Sequence, residues 1–262
     1  MNFLITNDDG FDAPGLAALY KALLPLGDVT VVAPATCHSA KGHAVDTKTP
    51  LRIQRRNIEP FGDIFIVHSS PADCVRAGLR HVMKNPPDFV IAGINPGANL
   101  GVDLFDSGTA AAAREAAILG VPAVALSRLL NAEFPVDWDV LSAHATRVLR
   151  TILTDHFRLP IGHFWNLNFP AVKDEQYPEE ITIVPHGTAA HAVSFKVVDR
   201  TADSEILEYS AAYRDRGRSD ICDVKHLFDQ RLTATPVGPS MTLAMPNLMH
   251  STVSLFIASC AD

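Results

Sequence analysis

Two adjacent carboxylates follow the first apolar run of the chain. Asp8 and Asp9 stand between Asn7 and Gly10, directly after a short predicted strand at residues 3–6. Neighbouring carboxylates repel each other unless they are solvated, hydrogen-bonded or bridged by a cation. Where a strand breaks into a turn, side chains stop alternating, so both acids can reach one point. An ordinary Asx turn that caps the next helix is the alternative, and the sequence leaves both open.

Two further loops carry oxygen-bearing side chains. Ser39 lies in a loop after a predicted strand at residues 29–33, and residues 93–101 follow a predicted strand at residues 89–92. The 93–101 segment combines glycines four residues apart with Asn95 and Asn99, which indicates positive φ angles or a close ligand. It fits neither the dinucleotide-binding nor the Walker A pattern. A plain structural loop is the alternative.

A third segment could bind an anion. Ser107, Gly108 and Thr109 stand at the start of an alanine-rich predicted helix at residues 108–119. A helix start with free N–H groups and two hydroxyls is a natural anion site, although a simple N-cap explains the same residues.

The predicted ligands share one chemistry, because they offer oxygen atoms only. Hard divalent cations such as Mg²⁺ and Mn²⁺ prefer such a set, whereas Zn²⁺ favours histidine and cysteine. The set consists of Asp8, Asp9, Ser39 and Asn95.

Alternating strands and helices position these residues. Asp12 is expected to cap a first helix with an apolar stripe from Leu16 to Leu24, and residues 70–73 resemble a capping box before a second helix. Further strands are predicted at residues 64–67 and 121–126. This rhythm indicates a Rossmann-like, doubly wound, mostly parallel sheet, whose ligands bind beyond the carboxyl ends of the strands near the switch point.

The second half has a different pattern. A helix around residues 138–152 and a strand at 164–169 precede short strand candidates at 181–184, 195–198, 206–209 and 232–235, with polar turns at 199–204 and 214–220. We interpret residues 1–262 as one domain. Residues 1–130 form the α/β core with the active site, and residues 131–262 add a helix and an extension of short antiparallel strands. That extension packs on the core or reaches another subunit.

Composition excludes several classes of protein. The 262 residues are 47% hydrophobic and 19% charged, with a net charge of −7, which argues against binding of duplex nucleic acid. Cys37, Cys74, Cys222 and Cys260 form no C-x-x-C pair, so buried free thiols are expected. Neither a signal peptide nor an apolar run of about 20 residues is visible. We therefore expect a cytoplasmic protein without a membrane span.

In combination and order, these motifs resemble the SurE family (survival protein E) of 5′/3′-nucleotidases. The resemblance covers residues 1 to about 128 and includes residues 70–75. It implies a Rossmann-like core, a cytoplasmic enzyme and metal ligands at Asp8, Asp9, Ser39 and Asn95. It also implies nucleoside monophosphate substrates, and dimers or tetramers assembled partly by exchanged C-terminal elements.

The chain departs from the family pattern at several positions. Ala40 and His43 stand where the family usually has glycine and asparagine, and the later motifs survive only as residues 219–220 and 233–237. These changes bear on substrate preference and leave the predicted metal ligands intact. They also motivate an alternative, a nucleotide-binding or assembly protein of the same fold that has lost turnover.

The functional hypothesis is hydrolysis of nucleoside 5′-monophosphates, with 3′-monophosphates as a second candidate class. One divalent cation would polarise a phosphoryl oxygen and lower the pKa of a water molecule, and Asp8 or Asp9 would orient or deprotonate that water. The predicted phosphate or substrate contacts are Asn99, Ser107, Gly108, Thr109 and His43.

Overall fold

The computed structural model describes residues 1–210, 216–217 and 219–239. Cys260 and part of the polar turn predicted at residues 214–220 lie outside them.

The first half alternates strands and helices, as predicted. Its strands are β1 (Asn2–Thr6), β2 (Asp28–Pro34), β3 (Ile53–Ile58), β4 (Gly62–Val67), β5 (Phe89–Pro96) and β6 (Ala123–Arg128). Its helices are α1 (Pro14–Leu23), α2 (Pro71–Ala77) and α3 (Gly108–Ile118), with a π-helical turn at Gly78–Val82 and a 3₁₀ turn at Gly101–Phe105.

The second half begins with α4 (Trp138–Ile152) and β7 (Phe164–Phe169). Short strands follow, namely β8 (Ile181–Ile183), β9 (Phe195–Arg200) and β10 (Glu205–Tyr209), and then α5 (Asp223–Phe228) and β11 (Leu232–Val237). Short 3₁₀ turns occupy Asp155–Phe157 and Asp174–Gln176.

In the described part of the chain, nine strands form one sheet in the order β3-β4-β2-β1-β5-β6-β7-β11-β8, and β9 and β10 form a separate antiparallel pair. Within the large sheet, β3 pairs antiparallel with β4 and β11 antiparallel with β7, whereas the other pairings are parallel. The doubly wound, mostly parallel fold is confirmed. Of the short strands, β8 and β11 continue the main sheet, and only β9 and β10 stand apart from it.

Apolar side chains cover both faces of the sheet. Helices α1 and α4 pack on one face, and α2 and α3 pack on the other. Each pair covers a separate cluster of buried apolar side chains. Helix α3 packs against the sheet mainly through alanine methyl groups. Its buried alanines are each at most 2% exposed: Ala110, Ala111, Ala112, Ala113, Ala116 and Ala117. This helix therefore lies close to the strands that carry the predicted site.

Helix starts explain two details of the sequence. Ser70 caps α2, since its side chain accepts a hydrogen bond from the Asp73 backbone N–H, as the capping-box pattern predicted. The prediction that Asp12 caps α1 is wrong. The N-cap residue is Ala13, without a side-chain bond, and Pro14 occupies the first turn, where a missing N–H costs nothing.

The described cysteines are free thiols. Cys74 and Cys222 are buried, as expected, but Cys37 is exposed. No helix within the described ranges is long and apolar enough to cross a membrane.

Candidate active site

The predicted ligands follow three neighbouring strands. The sheet order places β1 between β2 and β5, and the chain winds outward from β1 in both directions, which makes the β1/β5 boundary the switch point. Asp8 and Asp9 follow β1, Asn95 lies near the end of β5, and Ser39 is in the loop after β2. The carboxyl ends of these strands bring the three segments to one end of the sheet.

Asn7 makes the turn after β1. Its side-chain amide donates to the Gly10 carbonyl at 2.8 Å, and the Gly10 N–H donates to Asn7 Oδ1 at 3.4 Å. The turn part of the alternative is therefore correct, but the turn does not cap α1, whose N-cap residue is Ala13. Because Asn7 closes the turn, the carboxylates of Asp8 and Asp9 are left for other contacts.

Asp8 lies against the N-terminus of α3. Its side chain is buried, with 4% exposure, and its Oδ1 accepts a hydrogen bond from Thr109 Oγ1 at 2.6 Å. A Cβ on Gly108 would lie 2.6 Å from the Asp8 Cβ, so only glycine permits this approach. Burial raises the pKa of Asp8, and bonds from the Thr109 hydroxyl and backbone partly offset the rise.

Asp9 is less buried, but one of its oxygens has no protein donor. Within the described residues, Asp9 Oδ2 is inaccessible to solvent and has no hydrogen-bond partner. Burial first, and the neighbouring Asp8 second, raise the pKa of Asp9 to about 6. A cation beside both acids would offset both effects. The donor chemistry therefore fits a hard divalent cation.

The Ser39 loop is tied to the rest of the site. The His38 N–H donates to the Asp8 carbonyl at 2.7 Å, and the Gly42 N–H donates to the Asp106 carbonyl at 2.9 Å. Ser39 itself is exposed, with its Oγ 3.0 Å from Cys37 Sγ. Ala40, which departs from the family pattern, has a φ of +56°, a conformation that favours glycine.

Asn95 is oriented by its own loop. Its Nδ2 donates to the Gly97 carbonyl at 2.7 Å, which leaves Oδ1 as the candidate ligand atom. The strand is irregular between Ala92 and Asn95, where its register with β6 shifts. Gly93 makes this possible, since its φ is +136° and a Cβ there would lie 2.4 Å from the Leu126 carbonyl.

Ser107 is the N-cap of α3, because its Oγ accepts a hydrogen bond from the Ala110 N–H at 3.0 Å. The simple-cap interpretation is thus correct for this hydroxyl. Thr109 turns its hydroxyl to Asp8, so the start of the helix stabilises negative charge at the site.

Two predicted substrate contacts are engaged with protein groups. The buried Asn99 donates from Nδ2 to Ser127 Oγ at 2.7 Å. His43 Nε2 lies 2.7 Å from Glu115 Oε2, and Arg76 Nε lies 2.5 Å from Glu115 Oε1. Burial would raise the pKa of Glu115, but the bonds from His43 and Arg76 outweigh it, so the pKa is lowered.

The sequence reasoning did not identify these partners. Glu115 had one available signal, as an acid inside a helix that is rich in alanine. The structure describes no group of three or more histidine, cysteine, aspartate or glutamate side chains placed to hold a metal ion. This result is compatible with the predicted set, which contains only two acids.

Comparison with known proteins identifies the family. A family model described as "Survival protein SurE" matches residues 3–207. The chain belongs to the SurE family. The 5′-nucleotidase SurE of Nitratidesulfovibrio vulgaris is 47% identical over 169 residues, which are 64% of this chain and 61% of that protein. A protein of Synechocystis sp. is 37% identical over 235 residues, 90% of this chain and 98% of its own length.

A solved SurE structure has the same fold. The crystal structure of the SurE protein from Aquifex aeolicus aligns with a TM-score of 0.78 and 27% identity, over 92% of this chain and 95% of that one. The SurE family match runs from β1 into β10 and therefore includes every predicted site residue.

Proposed function

We propose that this protein is a divalent-cation-dependent phosphomonoesterase that hydrolyses nucleoside 5′-monophosphates, with 3′-monophosphates as a second substrate class. One observation carries the proposal. Two adjacent carboxylates with raised pKa values, Asp8 buried and Asp9 partly buried, lie at the switch point of the sheet, and Asp9 Oδ2 has no donor within the described residues. Relatives named 5′-nucleotidase SurE support the substrate class.

Asp8, Asp9, Ser39 and Asn95 would hold one Mg²⁺ or Mn²⁺ through oxygen atoms. When bound, the cation supplies positive charge that offsets the charge of the phosphate and favours deprotonation of water. The chain's own groups do the remaining work. Thr109 fixes the orientation of Asp8, because its hydroxyl donates to Asp8 Oδ1.

We assign proton acceptance to Asp9, because it is less buried than Asp8, whose Oδ1 already accepts the Thr109 hydroxyl. In the proposed reaction the oxygen of a water molecule attacks phosphorus and gives its proton to Asp9. The bond from phosphorus to the ester oxygen breaks, and that oxygen takes the proton from Asp9, so that the nucleoside and inorganic phosphate are released. Asn99, Ser107, Gly108, Thr109 and His43 remain the proposed phosphate or substrate contacts. All of their side chains except the hydrogen of Gly108 already bind protein groups.

The test is release of inorganic phosphate from nucleoside 5′- and 3′-monophosphates and from a generic aryl phosphate. We expect EDTA to abolish release and Mn²⁺ or Mg²⁺ to restore it, and Asp8→Asn to lower turnover by orders of magnitude. Asp12→Asn is the matched control, since Asp12 is an exposed acid of the same segment. Full activity after chelation, with no metal found by elemental analysis, would remove the proposal.

The alternative is a nucleotide-binding or assembly protein without turnover. Ala40 in a conformation that favours glycine, and the His43–Glu115 contact, are the observations that motivate it. Tight nucleotide binding without phosphate release from any of these substrates, at saturating Mn²⁺, would favour this alternative.

We also propose a cytoplasmic homodimer or homotetramer, in which the β9–β10 hairpin forms part of the contact. A two-stranded sheet is marginal by itself, and this one exposes apolar side chains: Phe195, Val197, Val198, Ile206, Leu207 and Tyr209. Ile206→Asp should weaken association in sedimentation experiments, whereas Glu208→Asp should not. A wild-type monomer at micromolar concentration would contradict the proposal.

A further inference from the structure

Two asparagines of β7 hold the backbone of the glycine-rich segment. Asn168 Oδ1 accepts a hydrogen bond from the Asn99 N–H at 2.9 Å, and Asn168 Nδ2 donates to the Asn99 carbonyl at 3.0 Å. Asn166 Nδ2 donates to the same carbonyl at 2.9 Å. Both backbone groups of one loop residue are therefore bound by side chains that lie more than 60 positions later in the chain.

These contacts are fully buried. Asn166 and Asn168 are both 0% exposed, and Asn99 is 9% exposed. Hydrogen bonds inside a protein are not exchanged readily for water, and an unpaired buried amide is costly. The side chain of Asn99 adds a further link, to Ser127 of the neighbouring strand β6. The loop is thus fixed to two adjacent strands at a single residue.

The segment would have considerable freedom without these bonds. Gly93, Gly97 and Gly101 all have positive φ angles, and glycine has more accessible backbone conformations than any other residue. Two further hydrogen bonds hold the segment on either side of Asn99. The Gly97 N–H donates to the Arg128 carbonyl at 2.9 Å, and the Gly101 N–H donates to Asp223 Oδ2 at 2.9 Å.

We propose that Asn166 and Asn168 are positioning residues, which fix residues 95–101 and thereby the side chain of Asn95. The link is short, because Asn95 Nδ2 is bonded to the Gly97 carbonyl, two residues before the held Asn99. The second half of the chain therefore organises a site whose proposed ligands all lie in the first half. The consequence for cation binding and turnover rests on the proposed function, whereas the consequence for the segment itself does not.

The strand provides its own control. Leu167 lies between the two asparagines, and because side chains alternate along a strand, it packs into the cluster on the opposite face of the sheet. Leu167→Ala should destabilise the fold without touching Asn99. Asn168→Ala removes two of the three side-chain bonds to the Asn99 backbone, and Asn166→Ala removes one. The milder Asn166→Ala keeps the test available if Asn168→Ala does not fold.

The primary measurement is amide hydrogen exchange of residues 95–101 in the metal-free protein. We expect exchange of this segment to accelerate about tenfold or more in Asn168→Ala, less in Asn166→Ala, and not beyond the global change in Leu167→Ala. In Mn²⁺ titrations by calorimetry, the asparagine variants should bind about tenfold more weakly, and kcat should fall more than KM rises.

Unchanged exchange of residues 95–101 in the folded asparagine variants would overturn the inference, and so would equal acceleration in the Leu167 control. Accelerated exchange with unchanged Mn²⁺ affinity would overturn the link to Asn95. A failure of the functional proposal would be seen separately, as a wild-type protein without phosphatase activity. The exchange measurement would still decide the role of the asparagines.

Discussion

Replacement of Asp9 by asparagine should stabilise the metal-free protein. Burial and the neighbouring Asp8 raise the pKa of Asp9 from 3.8 to about 6, so its charged form is unfavourable in the fold at neutral pH. Such a shift corresponds to about 3 kcal/mol, and solvent screening of the partly exposed side chain reduces it to about 1–2 kcal/mol. Asp9→Asn removes this penalty together with the charge that we assign to cation binding.

The pH dependence follows from the direction of the shift. Between about pH 4 and 6 the folded protein binds more protons at Asp9 than the unfolded chain does, so stability falls as pH rises through this window. The penalty is absent below it and complete above it. The difference in unfolding free energy between Asp9→Asn and wild type should therefore be greatest at neutral pH and shrink towards pH 4.

The assay is urea unfolding in EDTA at several pH values, repeated with Mn²⁺. Asp63→Asn is a control of opposite sign, because bonds from Arg55 and Asn57 lower the pKa of Asp63, and its loss should destabilise the fold at neutral pH. Added Mn²⁺ should stabilise wild type and leave Asp9→Asn unchanged. An Asp9→Asn protein less stable than wild type at pH 7 without metal would refute the reasoning.

Three further changes test other parts of the site. Gly108→Ala should lower turnover by at least tenfold in the phosphate-release assay, since its Cβ would meet the Asp8 Cβ at 2.6 Å; turnover equal to wild type would contradict this close approach. Ala40→Gly should raise stability by about 0.5–1 kcal/mol in thermal unfolding, because relief of the left-handed conformation exceeds the added freedom of the unfolded chain; a lower melting temperature would contradict it. Glu115→Gln should lower the free energy of unfolding by about 1–3 kcal/mol at neutral pH. Because bonds from His43 and Arg76 lower the pKa of Glu115, its contribution to stability is present above about pH 4.5 and is lost as pH falls. If Glu115→Gln unfolded in acid at the same pH as wild type, this stabilising role of Glu115 would be refuted.

The fold was predictable where apolar patterns are strong. Buried parallel strands such as β1 and β2 read as continuous apolar runs, so their positions were confirmed within a few residues. Strand β3 was missed, because its sequence Ile53–Ile58 is mostly polar and it forms the exposed edge of the sheet. The place of β8 and β11 in the main sheet depends on long-range pairing that no local pattern encodes.

The site was predictable where residue type alone limits the chemistry. Asp8 and Asp9 were predicted as ligands because adjacent carboxylates are unfavourable without a compensating charge or hydrogen bonds, and burial raises the pKa of both in the structure. Asn99 was predicted to contact substrate, yet its amide bonds Ser127, since a sequence does not say which way a loop side chain turns. The roles of Asn166 and Asn168 were missed. Their signal was an alternation of polar and apolar residues within a strand buried on both faces.

The alanines of α3 set a limit on which sequences this site can tolerate. Helix α3 lies close to the sheet because most of its buried side chains are alanine methyl groups, and its first turn carries the hydroxyl that contacts Asp8. A larger side chain anywhere along that face would lift the whole helix, and its first turn would move with it. Substitutions at Ala113 or Ala116, far from any reacting atom, should therefore reduce activity in proportion to added volume rather than to polarity.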